Sequence, residues 1–353
     1  MKSQRSSRKT FSYKTLHLST SRDVRSQSIR RAARLLRKGE LVAFPTETVY
    51  GLGANVFDPA AVRRIFQVKG RPQDNPLIVH LHSLQQVHFL ASSLPLMFWI
   101  LADRFMPGPL TIVLRKSSAV AGIVTAGLPT VAIRFPDHPV AKALLREAGV
   151  PLVAPSANIS GRPSPTRAAH VSEDLDGRIA AIVDGGNCRI GLESTVLDLT
   201  RSVPVVLRPG SVTKGEIEKA LGIRVRVHRS SAKRPASPGM KYRHYAPHGE
   251  LVVFEGDRRR IIASMRAFLK SLKGRLRVGV LAREEALRHF KNTEFVSLGS
   301  TGPSDAARRL FAAFREMDRR KVDLILCEGF PEERMGAALM NRLRKAASRR
   351  VRV

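Results

Sequence analysis

Lys69 and Arg71 flank one glycine in KGRPQDNPLIVH (69–80), on a short stiff turn ahead of an apolar run. Two cations that close in an extended segment can grip a phosphate chain together, the arginine through paired N–H donors. Asn75 follows them, and His80 closes the apolar run. In TVAIRFPDHP (130–139), Arg134 interrupts a strand-like run. A charge so placed is either exposed at an edge or matched by a buried anion, and a carboxylate ligand would satisfy it. APSANISGRPSPT (154–166) supplies three serines and an asparagine after another apolar run. Hydroxyls and amides this dense suit nucleotide recognition, and equally suit a solvated loop. FPTETVYGLG (44–53) follows a strand with hydroxyls and two glycines that let backbone approach a ligand, though an ordinary turn reads the same way. ESTVLDL (193–199) and LRPG (207–210) set Ser194 and Arg208 at strand ends.

Other chemistries find less support. The chain has no GxxxxGK[ST] phosphate loop, no GxGxxG and no GxSxG nucleophile elbow. Ser211-Val-Thr-Lys214 matches SxxK without the companion motifs. His80, His82 and His88 lack carboxylates at matching spacing, so no protein metal site is expected.

The elements that must position these residues are short apolar runs separated by helical stretches. LVAFPT (41–46), PLIVHL (76–81), LTIVLRK (110–116), TVAIRFP (130–136), LVAPSA (152–157), AAIVDGG (180–186), TVLDLT (195–200) and VVLRPG (205–210) read as strands, several Val/Ile-rich as buried strands are. A helix begins near Ser28, with Ile29, Ala33 and Leu36 on one face, and ends at Gly39. Further helices are predicted over 59–68, 95–104 and 138–148. The strands crowded after 180 imply antiparallel as well as parallel pairing, hence a mixed α/β sheet. The second half alternates strands at 251–256, 275–282, 294–300 and 322–330 with helices, one over 304–320 with Ser304 as N-cap. That rhythm predicts a smaller, Rossmann-like parallel α/β domain.

At 353 residues the chain has room for two cored domains. No apolar run is long enough to span a bilayer, so no membrane association is expected. Two distant cysteines, Cys188 and Cys327, favour a reducing compartment, and the expected location is the cytoplasm. Sixty-one Lys and Arg against twenty-nine Asp and Glu leave a net charge of +32, which favours polyanionic partners. The basic, Ser/Thr-rich start could be a presequence, but its poor apolar spacing makes 1–25 a disordered basic tail. A catalytic domain is expected over 26–223, a connector over 224–249 and the second domain over 250–353. The connector contains SPGMKYRHYAPH (237–248), whose tyrosines, histidines and methionine are unusual in a linker.

FPTETVYGLGAN, KGRPQDNPLIVH, FMPGPLTIVL, VAIRFPDHP, APSANISGRPSPT, GLESTVLDL, LRPG and SPGMKYRHYAP occur in this order. Together they resemble the Sua5/YrdC/YciO family, and the linker motif with a second α/β domain is similar to its full-length Sua5-type threonylcarbamoyl-AMP synthases. Met106 departs from the tryptophan common in the family before PGPLT. The resemblance covers roughly 26–350 and implies a YrdC-like twisted mixed sheet with helices. It implies condensation of L-threonine, bicarbonate and ATP, carried with Mg2+, into threonylcarbamoyl-AMP and pyrophosphate, for modification of adenosine 37 in tRNA. It implies signature roles for Lys69, Arg71, Ser156 and Asn158. ATP contacts would fall on Arg71, Asn75, Thr130, Ser156, Ser164, Arg208 and, from the linker, Tyr245, ahead of Tyr242 or Arg243. Threonine contacts would fall on Thr48, His80, Arg134, Ala154 and Ser194. Possible partners are tRNA and a threonylcarbamoyl-transferase. An RNA-binding module of the same fold is the alternative. The uncharged Thr48, Asn75, Ser156, Ser164 and Ser194 favour a small polar ligand, and a 6% aromatic content gives little for base stacking.

Overall fold

The computed structural model describes residues 13–20, 27–228, 245–272, 276–291 and 293–353. The strands of the first domain are β1 Leu16–Ser19, β2 Val42–Phe44, β3 Gly51–Asn55, β4 Ile78–His80, β5 Leu110–Arg115, β6 Thr130–Arg134, β7 Leu152–Val153, β8 Ala181–Asp184, β9 Thr195–Asp198, β10 Val205–Arg208 and β11 Arg226–Val227. They form one mixed sheet in the order β1-β8-β2-β3-β7-β4-β6-β5-β9-β10-β11. β4 runs parallel to β6 and β5 parallel to β9, while β5–β6 and β9–β10 are antiparallel.

Alternation along these strands divides the sheet into two faces. Ile112 and Leu114 of β5, Val131 and Ile133 of β6, Val79 of β4 and Leu197 of β9 belong to the main core cluster under the helices. The intervening residues Ile78, Val113, Ala132 and Val196 form a separate small apolar cluster on the opposite face. The polar residues at the strand ends extend from this second face.

The helix Pro59–Lys69 shows how the sequence delivers one of them. Asp58 caps it by accepting from the backbone N–H of Ala60 and Ala61, and Pro59 takes the first turn, where its missing N–H costs nothing. Gly70 ends it in the left-handed conformation at φ 58°. Lys69 is therefore the last helical residue, and Arg71 starts a differently directed segment. The stiff turn expected for both cations holds for Arg71 alone.

The second domain carries β12 Glu250–Glu255, β13 Val278–Ala282, β14 Glu294–Ser297, β15 Leu324–Glu328 and β16 Arg349–Arg352. Its sheet, in the order β14-β13-β15-β12-β16, is parallel throughout, as strand–helix alternation predicts. The helix Pro303–Arg319 has Gly302 rather than Ser304 at its N-cap, because Pro303 already occupies the first turn. Three further differences stand out. Leu16–Ser19, placed by the sequence in a disordered tail, pairs in parallel with β8. Gly51–Asn55 is a strand although glycine and alanine favour none. Arg226–Val227, inside the stretch assigned to the connector, pairs with β10. Most of the linker motif, including Tyr242 and Arg243, lies outside the described residues, as does most of the basic tail.

The domains meet closely. Gly191, at φ 82°, lies against the helix Pro303–Arg319, where a Cβ would come within 2.5 Å of the Arg308 backbone. Val49 and Leu192 of the first domain join the second domain's core with Leu310, Phe311 and Leu339. No helix among the described residues is long and apolar enough to cross a membrane.

Candidate active site

Cross-strand register assembles the charged part of the site. His80 pairs with Arg134, Arg134 with Thr111, Thr111 with Val196, and Val196 with Arg208. Residues directly opposite one another share a face, so His80, Thr111, Arg134 and Arg208 form one row across β4, β6, β5, β9 and β10. Arg208 reaches this face through a bulge, since the register shifts between Val206 and Arg208. An extra residue in one strand re-aims the side chains beyond it.

Loops close the row into a cleft. Among its lining residues are Thr48, Arg71, His80, Arg134, Ala154, Ser156, Ser194, Arg208 and Tyr245. These nine are sequence candidates brought together from the first domain and the end of the connector. Five other candidates stand outside the lining. Lys69 lies beneath it, Asn75 is buried behind Arg71, and Asn158 and Ser164 sit in the adjoining loop. Thr130 begins β6 opposite Arg115, on the same face as Arg134 but at the far end of the strand.

Lys69 is buried, with its ammonium donating to the Ser156 carbonyl at 2.6 Å and to the Asn158 carbonyl. Burial, reinforced by the neighbouring Arg71 charge, pushes its pKa well below the usual lysine range. Lys69 thus pins the Ser156–Asn158 loop from behind. Asn158 adds to the same turn by donating to the Ile159 and Arg162 carbonyls at 2.8 and 2.9 Å. Arg71 braces itself on the Asn75 and Pro76 carbonyls through Nη2, at 3.2 and 3.0 Å. Burial lowers its pKa to about 10.

Thr46 orients Thr48. The Thr46 hydroxyl donates to the Val49 carbonyl at 2.7 Å, so in the 2.8 Å contact between the two hydroxyls Thr48 must be the donor. His80 Nδ1 contacts the Ile78 carbonyl at 3.3 Å, a contact that fixes the proton on Nδ1 and leaves Nε2 as an acceptor. Burial, and then the Arg134 charge, depress the His80 pKa to about 3, so the ring is neutral at physiological pH.

Arg134 already has a carboxylate nearby. Its Nη2 lies 2.7 Å from Oε1 of Glu47, and both side chains are buried. The approach is close but poorly aligned, and neither Glu47 oxygen has a hydrogen-bond partner among the described residues. The buried anion that an in-strand arginine demands is supplied by the chain itself, so a ligand carboxylate is not required to explain the residue. On the other side of the row, Ser194 Oγ sits 2.7 Å from Thr111 Oγ1 and accepts from Arg208 Nη2 at 3.1 Å. Glu193 accepts from Ser164 Oγ at 2.6 Å and from Arg342 Nε at 2.8 Å. Burial alone would raise the Glu193 pKa, but Arg342 and Arg208 outweigh it and hold the carboxyl below its usual range.

Tyr245 reaches the cleft from the end of the linker. Its ring stacks on Phe311 at 5.3 Å, and its backbone takes the left-handed conformation at φ 68°. That conformation is uncommon for a residue with a side chain and is held here by burial. Sequence reasoning missed Glu47, Glu193, Thr111 and Arg342. Glu47 and Glu193 adjoin the noted Thr48 and Ser194, and two acids beside predicted ligand residues were the available signal. Arg342 left none.

Known proteins resemble this chain along most of its length. The Sua5/YciO/YrdC family model, described as telomere recombination, matches residues 34–210. A second model, described as the C-terminal domain of threonylcarbamoyl-AMP synthase, matches 212–348. The threonylcarbamoyl-AMP synthase of Pyrococcus abyssi is 48% identical over 96% of this chain and 99% of its own. That of Bacillus subtilis is 50% identical over 92% of this chain and 94% of its own. The crystal structure of P. abyssi Sua5 complexed with L-threonine superposes with a TM-score of 0.89, at 48% identity, covering 96% of this chain and 99% of that one.

Proposed function

The chain belongs to the Sua5/YciO/YrdC family, and from that premise we infer that it is a threonylcarbamoyl-AMP synthase, an enzyme that transfers an adenylyl group. L-Threonine, bicarbonate and ATP are its substrates, with Mg2+ arriving on the phosphates of ATP. Glu193 in the cleft lining faces Arg342, and Glu47 behind Arg134 faces that arginine, so the metal is proposed to be held by the nucleotide. The observation that supports the reading is the row His80–Arg134–Thr111–Arg208, which puts two buried arginines on a single sheet face, one proposed for the threonine carboxylate and the other for a phosphate.

The reaction asks for positioning rather than an enzyme nucleophile. The amine of threonine, having lost a proton, adds to CO2 derived from bicarbonate and becomes a carbamate. A carbamate oxygen then attacks the α-phosphorus of ATP in line, the bond to the bridging oxygen breaks, and pyrophosphate leaves. In the proposed assignment Arg134 holds the threonine carboxylate, while Thr48, Ser194, neutral His80 and the Ala154 backbone fix its remaining polar groups. Arg71 and Arg208 meet the negative charge that builds on the phosphates. Ser156 and Tyr245 line the nucleotide side, with Asn75, Ser164 and Thr130 along its path. Lys69 and Asn158 hold the Ser156 loop. Preset cations and dipoles of this kind supply catalysis without reorganising during the step.

A reading as an RNA-binding module without synthesis is less favoured, because the cleft sets hydroxyls and small residues among its arginines and offers few rings, Tyr245 and His80, for base stacking. The basic surface remains the proposed meeting place for tRNA or a threonylcarbamoyl-transferase, and the cytoplasm the proposed location. Incubation with 14C-bicarbonate tests the reading. Label is expected in an acid-labile adenylate only when ATP and L-threonine are both present, and label appearing without threonine would overturn it.

A further inference from the structure

Arg342 belongs to the second domain, on the helix Met335–Ala346, yet its hydrogen bonds to the first domain go to Glu193, which lines the cleft, and to Pro209, which follows the cleft-lining Arg208. It is fully buried. Its Nε donates to the Glu193 carboxylate at 2.8 Å, Nη2 to the Glu193 carbonyl at 3.1 Å and Nη1 to the Pro209 carbonyl at 2.7 Å. Glu193 immediately precedes Ser194, and Pro209 immediately follows Arg208. The guanidinium therefore ties together the two backbone segments whose ends present Ser194 and Arg208, and it does so through the fork of donors that only arginine has. Its charged carbon also lies 5.8 Å from the centre of the Tyr245 ring, which stacks on Phe311 of the same domain.

The second arginine crossing the interface behaves differently. Arg315, also buried, meets Asp174 at 2.8 Å, Glu173 at 3.0 Å and the Pro163 carbonyl at 2.7 Å. None of those three residues lines the cleft. Arg315 docks the domains, whereas Arg342 reaches the catalytic wall.

We propose that Arg342 is a positioning residue for the synthase reaction: it locks Ser194 and Arg208 into register, so the second domain is a working part of the active-site wall and more than an anchor for the linker. This rests on the synthase reading. Without Arg342 the Glu193 carboxylate keeps the Ser164 hydroxyl but loses its cation, the Glu193 and Pro209 carbonyls lose this donor, and the two strand ends can part. A displacement near 1 Å is enough to cost about a hundredfold in rate.

The test compares steady-state kinetics and thermal unfolding of the full chain with those of Arg342→Met, Arg342→Lys, Glu193→Gln/Arg342→Met and Arg344→Met. Arg344 lies on the same helix and pairs with Glu255 and Glu332 inside the second domain. For Arg342→Met, kcat/KM for ATP is expected to fall about ten- to a hundredfold at temperatures where the variant is folded. Arg342→Lys should not rescue it, because one ammonium cannot span three acceptors. The double variant, which leaves no unmatched buried charge, should regain thermal stability without regaining kcat/KM. Arg344→Met should keep wild-type kinetics. Wild-type kcat/KM in Arg342→Met or in the double variant, with only the unfolding temperature lowered, would reduce Arg342 to domain docking and overturn the inference while leaving the synthase reading intact. A wild-type chain that forms no product would remove the reading and the inference together.

Discussion

Arg134 reaches the cleft already facing Glu47, so a threonine carboxylate has to share the guanidinium rather than neutralise it alone. Removing the cation strands a buried acid. Arg134→Met is expected to lose stability by about 3–5 kcal/mol, and Arg134→Met/Glu47→Gln to recover most of it. Both should fail to bind L-threonine, as titration calorimetry beside urea unfolding would read. His80 makes a separate prediction through its depressed pKa. Above its ordinary value of 6.5 the ring is neutral both folded and unfolded, and pH has no leverage. As pH falls from 6.5 toward 3, the unfolded chain takes up a proton that the folded site refuses, so stability declines. His170, depressed to about 3 by burial and then by Arg315, acts in the same window. The urea midpoint of His80→Gln should therefore vary less steeply between pH 6.5 and 4 than that of the wild type. A parallel pair of curves would remove the assignment. At this scale the sequence was informative about the groups that line the cleft, since a polar residue that ends an apolar run announces itself. It was silent about Arg342, because its partner Glu193 lies 149 residues away along the chain.

The strands and helices carry these side chains with differing margins. Val- and Ile-rich runs such as Thr130–Arg134 were legible because branched side chains and alternation point one way. Gly51–Asn55 was not, since its composition has no strand preference. It becomes a strand by pairing with Val42–Phe44 on one side and Leu152–Val153 on the other. Leu16–Ser19 was hidden for a similar reason, as four residues in a basic stretch that only β8 makes extended. The bulge that turns Arg208 toward the cleft has no sequence signature beyond the Pro-Gly after it. Gly210 permits the packing there, because a Cβ would fall 2.2 Å from the Thr195 backbone nitrogen. Gly210→Ala is expected to abolish synthase activity by pushing apart the segments that bear Ser194 and Arg208. Asp58→Ala, which removes only the cap of Pro59–Lys69, should cost about 1 kcal/mol. It should leave kcat close to wild type. Denaturant melts paired with product assays separate the two effects.

Across the whole molecule, buried ion pairs and a shared apolar core hold the two domains as one body around the cleft. The two-domain rhythm was legible from the alternation of strands and helices, but the closeness of their docking was not, because it depends on contacts between distant segments. Arg315→Met should lower the unfolding temperature by removing one of the two arginines that meet the buried Asp174, the other being Arg162, and the wild type should unfold in one calorimetric transition. Two resolved transitions in the wild type would contradict that picture. The charge of +32 gives the molecule a field suited to polyanions without naming one, and the threonine and serine hydroxyls set among the arginines of the cleft are what favour a small polar molecule beside a nucleotide. The most direct measurement is pyrophosphate release from ATP by the purified protein, with L-threonine and bicarbonate omitted in turn and the adenylate identified by mass spectrometry. Release that requires both, with threonylcarbamoyl-AMP formed in equal amount, is the expected result. Release independent of either co-substrate, or none under any condition, would contradict the assignment.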